Sequence, residues 1–166
     1  TFNSVRVVAM DRDAEAIKYG KENFSEFIKD GRLVLIRGNF ADLSKLDDQS
    51  FDDILLDLGV CSPELDDPAR GFSFYQEGPL DMRMGNDQTL SAVDVVNEWS
   101  EKELSDLFYQ LGEIKFPNKV VRAIVHDRKK QKFSTTRELA ELIVRVSGWR
   151  QKGKHPATQY FLALRL

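Results

Sequence analysis

The chain has 166 residues, 42% of them hydrophobic, with 24 Lys/Arg against 27 Asp/Glu for a formal net charge of −3. That length supports one sizeable core with a small second lobe, and no apolar stretch approaches the ~20 residues of a membrane span. A single cysteine excludes an internal disulfide and fits a reducing compartment, and no secretory signal pattern opens the chain.

Taken in order, Val5–Met10 is a short β-branched run ending at Asp11, and residues 13–29 follow with apolar positions at helical spacing. Leu33–Ile36 reads as the next strand, Arg37-Gly38-Asn39-Phe40 as a turn, and residues 41–46 as a short polar helix. Phe51 leads into a third expected strand, Asp53–Asp57. Strand, helix, strand, helix, strand at this spacing predicts βαβ units and a parallel sheet. Some 25 residues rich in Gly, Pro, Asp and Arg come next, and long loops in compact domains are usually functional.

Beyond residue 90 the texture becomes helical. Ser100-x-x-Glu103 and Thr135-x-x-Glu138 match capping boxes. Between them Val120, Val121, Ile124 and Val125 form an apolar stripe on a helix that also carries Lys119, Arg122, Arg128, Lys129 and Lys130. Residues 148–155 read as a basic linker, and Pro156 suits the first turn of a last helix. Charge divides with the texture. Residues 1–90 hold 10 basic and 18 acidic side chains, whereas 115–166 hold 13 and 3. A basic face of that kind suits a polyanion, although solvated helix faces give the same count.

Three expected strand ends offer an acid, an aromatic and an acid: Asp11, Phe40 and Asp57. In open α/β sheets ligands lie beyond the carboxyl ends of the strands, and an acid there binds ribose hydroxyls. Each residue also has a structural alternative: turn or N-cap aspartate for Asp11, core aromatic for Phe40, turn former for Asp57. No Gly-rich phosphate loop is present, so the set describes a nucleoside-type pocket. Cys61 reads as a small loop residue rather than a nucleophile, and His126 as a surface residue. His155 serves either substrate contact or a helix start. Neither histidine has partners at metal-ligand spacing, so no catalytic metal is expected.

The segments Asp57-Leu58-Gly59-Val60-Cys61-Ser62-Pro63-Glu64-Leu65-Asp66-Asp67, Arg70-Gly71-Phe72-Ser73-Phe74 and Gly78-Pro79-Leu80-Asp81-Met82-Arg83-Met84 resemble the signature of the RsmH (MraW) methyltransferases. Arg122–Val125 and Lys154–Thr158 are similar to later blocks of that family, so the resemblance covers essentially the whole chain. It implies an α/β fold, a Rossmann-like class I methyltransferase sheet with an inserted, mainly helical substrate-recognition domain. The implied divisions are 1–62 and 153–166 for the methyltransferase domain and 63–152 for the inserted loop and helices. The implied activity is S-adenosylmethionine-dependent methylation of the exocyclic N4 of a cytidine in the decoding region of small-subunit ribosomal RNA.

The resemblance further implies that Asp11, Phe40, Asp57 and Glu64 line the cofactor pocket, with Asp57 also the catalytic candidate. Glu64 stands where the family usually has glutamine, and an ionised carboxylate cannot donate a hydrogen bond. Cys61 replaces the usual serine, which argues further against a covalent cysteine. Arg70, Phe72, Phe74 and Arg83 of the loop, with Arg122, Lys129, Lys130, Arg150, Lys152, Lys154 and His155, are the expected RNA contacts. The partner is ribosomal RNA, free or within the assembled subunit, in the cytoplasm or the mitochondrial matrix; a homodimer is compatible and a membrane is not involved. A glycine-rich cofactor loop is expected to precede the chain and further strands to follow it, so the segment reads as internal. Two other readings stay open. One is a non-catalytic RNA-binding piece, the other an NAD-type dinucleotide domain that leaves the Asp57–Met84 loop without a task.

Overall fold

The computed structural model describes residues 5–46, 51–57, 59, 65–85, 88–148 and 155–165. The architecture is mixed α/β in two compact units, Thr1–Asp57 with Met84–Asp87, and Leu58–Arg83 with Gln88–Leu166.

In the first unit β1 (Val7–Asp11) and β2 (Leu33–Arg37) pair in parallel, from Val7↔Leu33 to Asp11↔Arg37. Parallel strands need a crossover; here it is α1 (Ala14–Asn23) and α2 (Ser25–Lys29), with a break at Phe24 inside the single stretch expected. Ile17 and Gly20 are the buried positions of α1, and a Cβ on Gly20 would come within 2.8 Å of Leu35 Cδ1, so the glycine lets helix and strand approach closely. Phe40–Lys45 forms a 3-10 helix where the short polar helix was expected.

The third strand does not form. Residues 51–57 are extended and take part in no ladder among the described residues, and Ile54, Leu55 and Leu56 are 66%, 92% and 54% exposed. An apolar run becomes a strand only where a partner edge and a covering layer exist. The described part of this unit gives it neither.

The second unit holds the main core. Its helices are α3 (Ala92–Glu98), α4 (Glu101–Gln110), α5 (Asn118–Asp127), α6 (Thr136–Ser147) and α7 (Thr158–Leu164). Leu104 and Phe108, Val121 and Ile124, Leu139 and Ile143, and Phe161 meet in a core with no solvent exposure. The spacing of each pair by three or four residues is what a helix needs to bury one face. Phe108 and Tyr160 meet edge to face at 4.9 Å, fixing α7 on α4. The final helix therefore packs within the helical unit. Apolar positions Tyr160, Phe161 and Ala163 find their partners in the helical core.

Both anticipated capping boxes are present, at Ser100/Glu103 and Thr135/Glu138, and a third, Ser91/Asp94, uses the shorter acid. α5 starts directly after Pro117, and α7 starts two residues beyond Pro156. Hydrogen bonds from Ser134, Thr135 and their backbone hold Glu138 below the usual carboxylate range; Ser91 and Ser100 do the same for Asp94 and Glu103. A depressed folded pKa stabilises at pH above the unfolded value and is lost as pH falls through the folded one. Melting temperature is thus expected to decline as pH drops below about 4.5, the ordinary glutamate value. Glu138→Gln should melt lower at neutral pH and lose part of that decline; an unchanged slope in thermal melts would contradict the assignment.

Candidate functional site

The parallel register brings the exits of β1 and β2 to one carboxyl edge of the sheet. Gly38 N–H donates to the Asp11 carbonyl at 2.9 Å, tying the two exits together. Asp11 Oδ1 accepts from Asp13 N–H at 2.7 Å, and Asp13 in turn caps α1 by accepting from Glu15 N–H at 3.0 Å. Asp11 is thus a turn former whose carboxylate stays exposed, and the N-cap is Asp13. Phe40 opens the 3-10 helix behind the Asn39 cap and is 52% exposed, so its ring is not core. Asp57 is exposed in the extended segment. Glu64 lies outside the described residues.

Two exposed carboxylates and an exposed ring fit a nucleoside without phosphates. Carboxylates accept hydrogen bonds from vicinal hydroxyls and favour cationic charge, while they repel phosphate. Of these, Asp11 and Phe40 follow the two paired strands at the carboxyl edge, a carboxylate and a ring with the chemistry for a ribose and an aromatic base, while Asp57 stands in the extended segment.

In the helical unit the long loop is anchored at several points. Leu80 N–H donates to Ser134 O at 2.9 Å, Thr136 N–H to Gly78 O at 2.9 Å, Met82 N–H to Arg70 O at 3.2 Å, and Ala92 N–H to Asp81 O at 2.8 Å. Phe72 is fully buried, so its ring belongs to the core and offers no face to a base, contrary to expectation. Its burial follows from the neighbours: Arg70 lies over the ring at 5.2 Å, and the Arg165 guanidinium donates to the Phe72 carbonyl. Arg83 grips Asp81 with two 2.7 Å bonds and donates to Gln88 O at 3.3 Å, which makes it first a clamp within the loop.

Phe74 is half-buried and stacks on His155, centroids 4.4 Å apart and planes 28° apart, with Phe161 edge-on to it at 4.9 Å. His155 Nδ1 accepts from Ala157 N–H at 3.1 Å, so it marks a helix start while stacking on an aromatic. Burial lowers its pKa, and a neutral imidazole is the form that can accept there. The loop and the segment before α7, eighty residues apart in sequence, therefore meet in one aromatic pair.

Of the basic candidates, Lys129 and Lys130 are exposed at the end of α5, and Arg122 is exposed with a 3.2 Å contact to Glu101. Arg150, Lys152 and Lys154 lie outside the described residues. His126 is exposed and bonded to Asp127. Sequence reasoning passed over Arg137, Glu141 and Arg145, which line a cleft of roughly 400 Å³ with Phe74 and His155. Their i, i+4, i+8 spacing on an exposed helical face was the available signal. Among the described residues no group of three His, Cys, Asp or Glu side chains is placed to hold a metal ion, and no helix is long and apolar enough to cross a membrane.

A small parallel sheet with connecting helices, and a helical unit beside it in sequence, place the chain in the α/β class. It belongs to the MraW methylase family, whose model matches residues 1–166. Similar proteins include the ribosomal RNA small subunit methyltransferase H of Bdellovibrio bacteriovorus, 50% identical over 99% of this chain and 50% of that protein. The proteins of the same description from Limosilactobacillus fermentum and Legionella pneumophila are 44% and 42% identical, over 99% and 97% of this chain and 54% and 53% of theirs. The chain spans about half the length of the curated relatives it matches.

Proposed function

We propose that this chain is part of an S-adenosylmethionine-dependent methyltransferase acting on the exocyclic N4 of a cytidine in the decoding region of small-subunit ribosomal RNA. The observation that carries the reading is the family match along the whole chain, with relatives described as ribosomal RNA small subunit methyltransferases. The helical unit is the inserted substrate-recognition domain of a Rossmann-like methyltransferase, and the sheet unit holds the cofactor. The setting is the cytoplasm, with RNA as partner.

Asp11 would hold the ribose hydroxyls, Phe40 would stack on the adenine, and Asp57 would line the amino-acid end. When bound, the cofactor supplies a methyl group on a positively charged sulfur. The cytosine amine is a poor nucleophile because its lone pair is delocalised into the ring. Asp57 accepts a hydrogen bond from that amine, localising the lone pair and stabilising positive charge as it develops. Orientation of amine and methyl in line supplies much of the remaining acceleration. The base must leave its stack to be reached, unless the RNA presents it unpaired.

Exposed Lys129, Lys130 and Arg122 grip the phosphate backbone. Affinity for small-subunit RNA should fall steeply with salt, and Lys129→Ala with Lys130→Ala should flatten the log–log slope by roughly two. A slope unchanged by the double substitution would remove these lysines from the interface. The function itself is tested by methyl transfer from labelled S-adenosylmethionine to small-subunit RNA by the complete gene product, with mapping of the methylated atom. Label on cytosine N4 is expected. Absence of transfer to RNA, or binding of NAD in place of the methyl donor, would overturn the reading.

A further inference from the structure

The cleft beside the Phe74–His155 pair has a charge arrangement that packing alone leaves unexplained. Arg137, Glu141 and Arg145 lie one turn apart along α6, with Ala140 and Val144 between them as an apolar floor. Oppositely charged side chains at this spacing ordinarily pair with each other. Here neither arginine does so. Arg137 reaches Glu77 on the loop at 3.3 Å, and Arg145 reaches Asp127 at the end of α5 at 2.5 Å. Glu141 is left exposed, with no hydrogen bond or ion pair among the described residues.

The result is an aromatic wall, an apolar floor, a carboxylate in the middle and a guanidinium on either side. A flat ring is matched by the first two features. A carboxylate accepts from the exocyclic amine of cytosine, and it has nothing to accept from at the corresponding carbonyl of uracil. The flanking guanidiniums, held in place by Glu77 and Asp127, retain N–H groups for a phosphate on either side of the base. The cleft volume, roughly 400 Å³, is ample for one nucleotide.

We infer that this cleft is a subsite for an unpaired, amine-bearing nucleotide of the RNA, with Phe74 and His155 as the ring wall, Glu141 as the base reader and Arg137 and Arg145 as phosphate contacts. The inference rests on the RNA-methylating reading and assigns a sequence preference to the helical unit, separate from the Asp57 chemistry.

The test is titration of the chain with fluorescently labelled oligocytidylate and oligouridylate of equal length at fixed salt. Oligocytidylate should bind roughly tenfold tighter, as one carboxylate–amine contact to a base edge allows. Glu141→Ala should erase the preference while both ligands still bind. Glu141→Gln, whose side-chain carbonyl still accepts, should keep part of it. Because Glu141 is exposed on its helix, these variants are expected to melt like the parent. Equal affinity for the two ligands in the parent chain, or a preference that survives Glu141→Ala, would overturn the subsite. If the complete gene product still methylates small-subunit RNA in that case, the subsite alone falls. A gene product that transfers no methyl group to RNA would instead remove the reading on which the inference rests.

Discussion

Gly71→Ala is expected to unfold the helical unit at temperatures where the parent chain is fully folded. Gly71 has φ +71°, and a Cβ there would sit 1.9 Å from the Pro79 carbonyl oxygen. Gly78 is the other half of the same contact: its Cβ would lie 1.9 Å from the Pro68 carbonyl and 3.6 Å from Gly71 Cα. Two backbone segments touch with no side chain between them, and neither can yield by changing a rotamer. The opposing strand is fixed by Leu80 N–H to Ser134 O and by Thr136 N–H to Gly78 O, which anchor it to the start of α6. Overpacking against rigid backbone costs about 3 kcal/mol or more, a large share of a domain's stability. Gly78→Ala separates the two causes, because its φ is ordinary and only the clash remains. Both variants should melt far below the parent and lose the packing of Phe74 on His155, read from the histidine ring signals by NMR. If either melted normally, the close approach of these segments would be wrong.

Asp57→Asn should lower methyl transfer by the complete gene product roughly 100-fold or more, the usual consequence of removing one group that stabilises charge developing in the transition state. The substitution keeps the size of the side chain and one acceptor oxygen, so affinity for the methyl donor should weaken only modestly. Asp11→Asn provides the contrast. Asp11 is assigned to binding, so its loss should raise the Michaelis constant for the methyl donor and leave the turnover of the saturated enzyme close to normal. Normal cofactor binding together with normal turnover in Asp57→Asn would end the acceptor role. Steady-state kinetics on both variants, with cofactor binding measured separately by calorimetry, divides the two assignments.

Much of the fold was legible because local signals were strong. Ser100-x-x-Glu103 and Thr135-x-x-Glu138 carry their helix starts in four residues each, and the structure forms both boxes. Val7–Asp11 and Leu33–Arg37 combine β-branched residues with a helix-length crossover, so a parallel pair follows. Ser91/Asp94 escaped notice because a search for Glu or Gln at the third position overlooks the shorter acid.

What failed depended on neighbours that local sequence does not specify. Asp53–Asp57 has the composition of a strand, yet its apolar side chains are exposed where no edge and layer receive them. Phe72 and Phe74 stand two residues apart in one polar loop, and nothing in the sequence separates them. Packing buries the first completely and leaves the second beside a cleft.

The amino-acid sequence by itself determined the family, the strand–helix–strand order from Val7 to Arg37, the helix starts at Ser100 and Thr135, and Asp11 at the sheet edge. Spacing, capping and motif are properties of neighbouring residues along the chain. Tertiary structure alone decided that Phe74 meets His155, that Arg137 and Arg145 turn from Glu141 to Glu77 and Asp127, and that α7 joins the helical core. Those outcomes rest on contacts between residues far apart in sequence, where the burial and charge partners available in space outweigh any local preference.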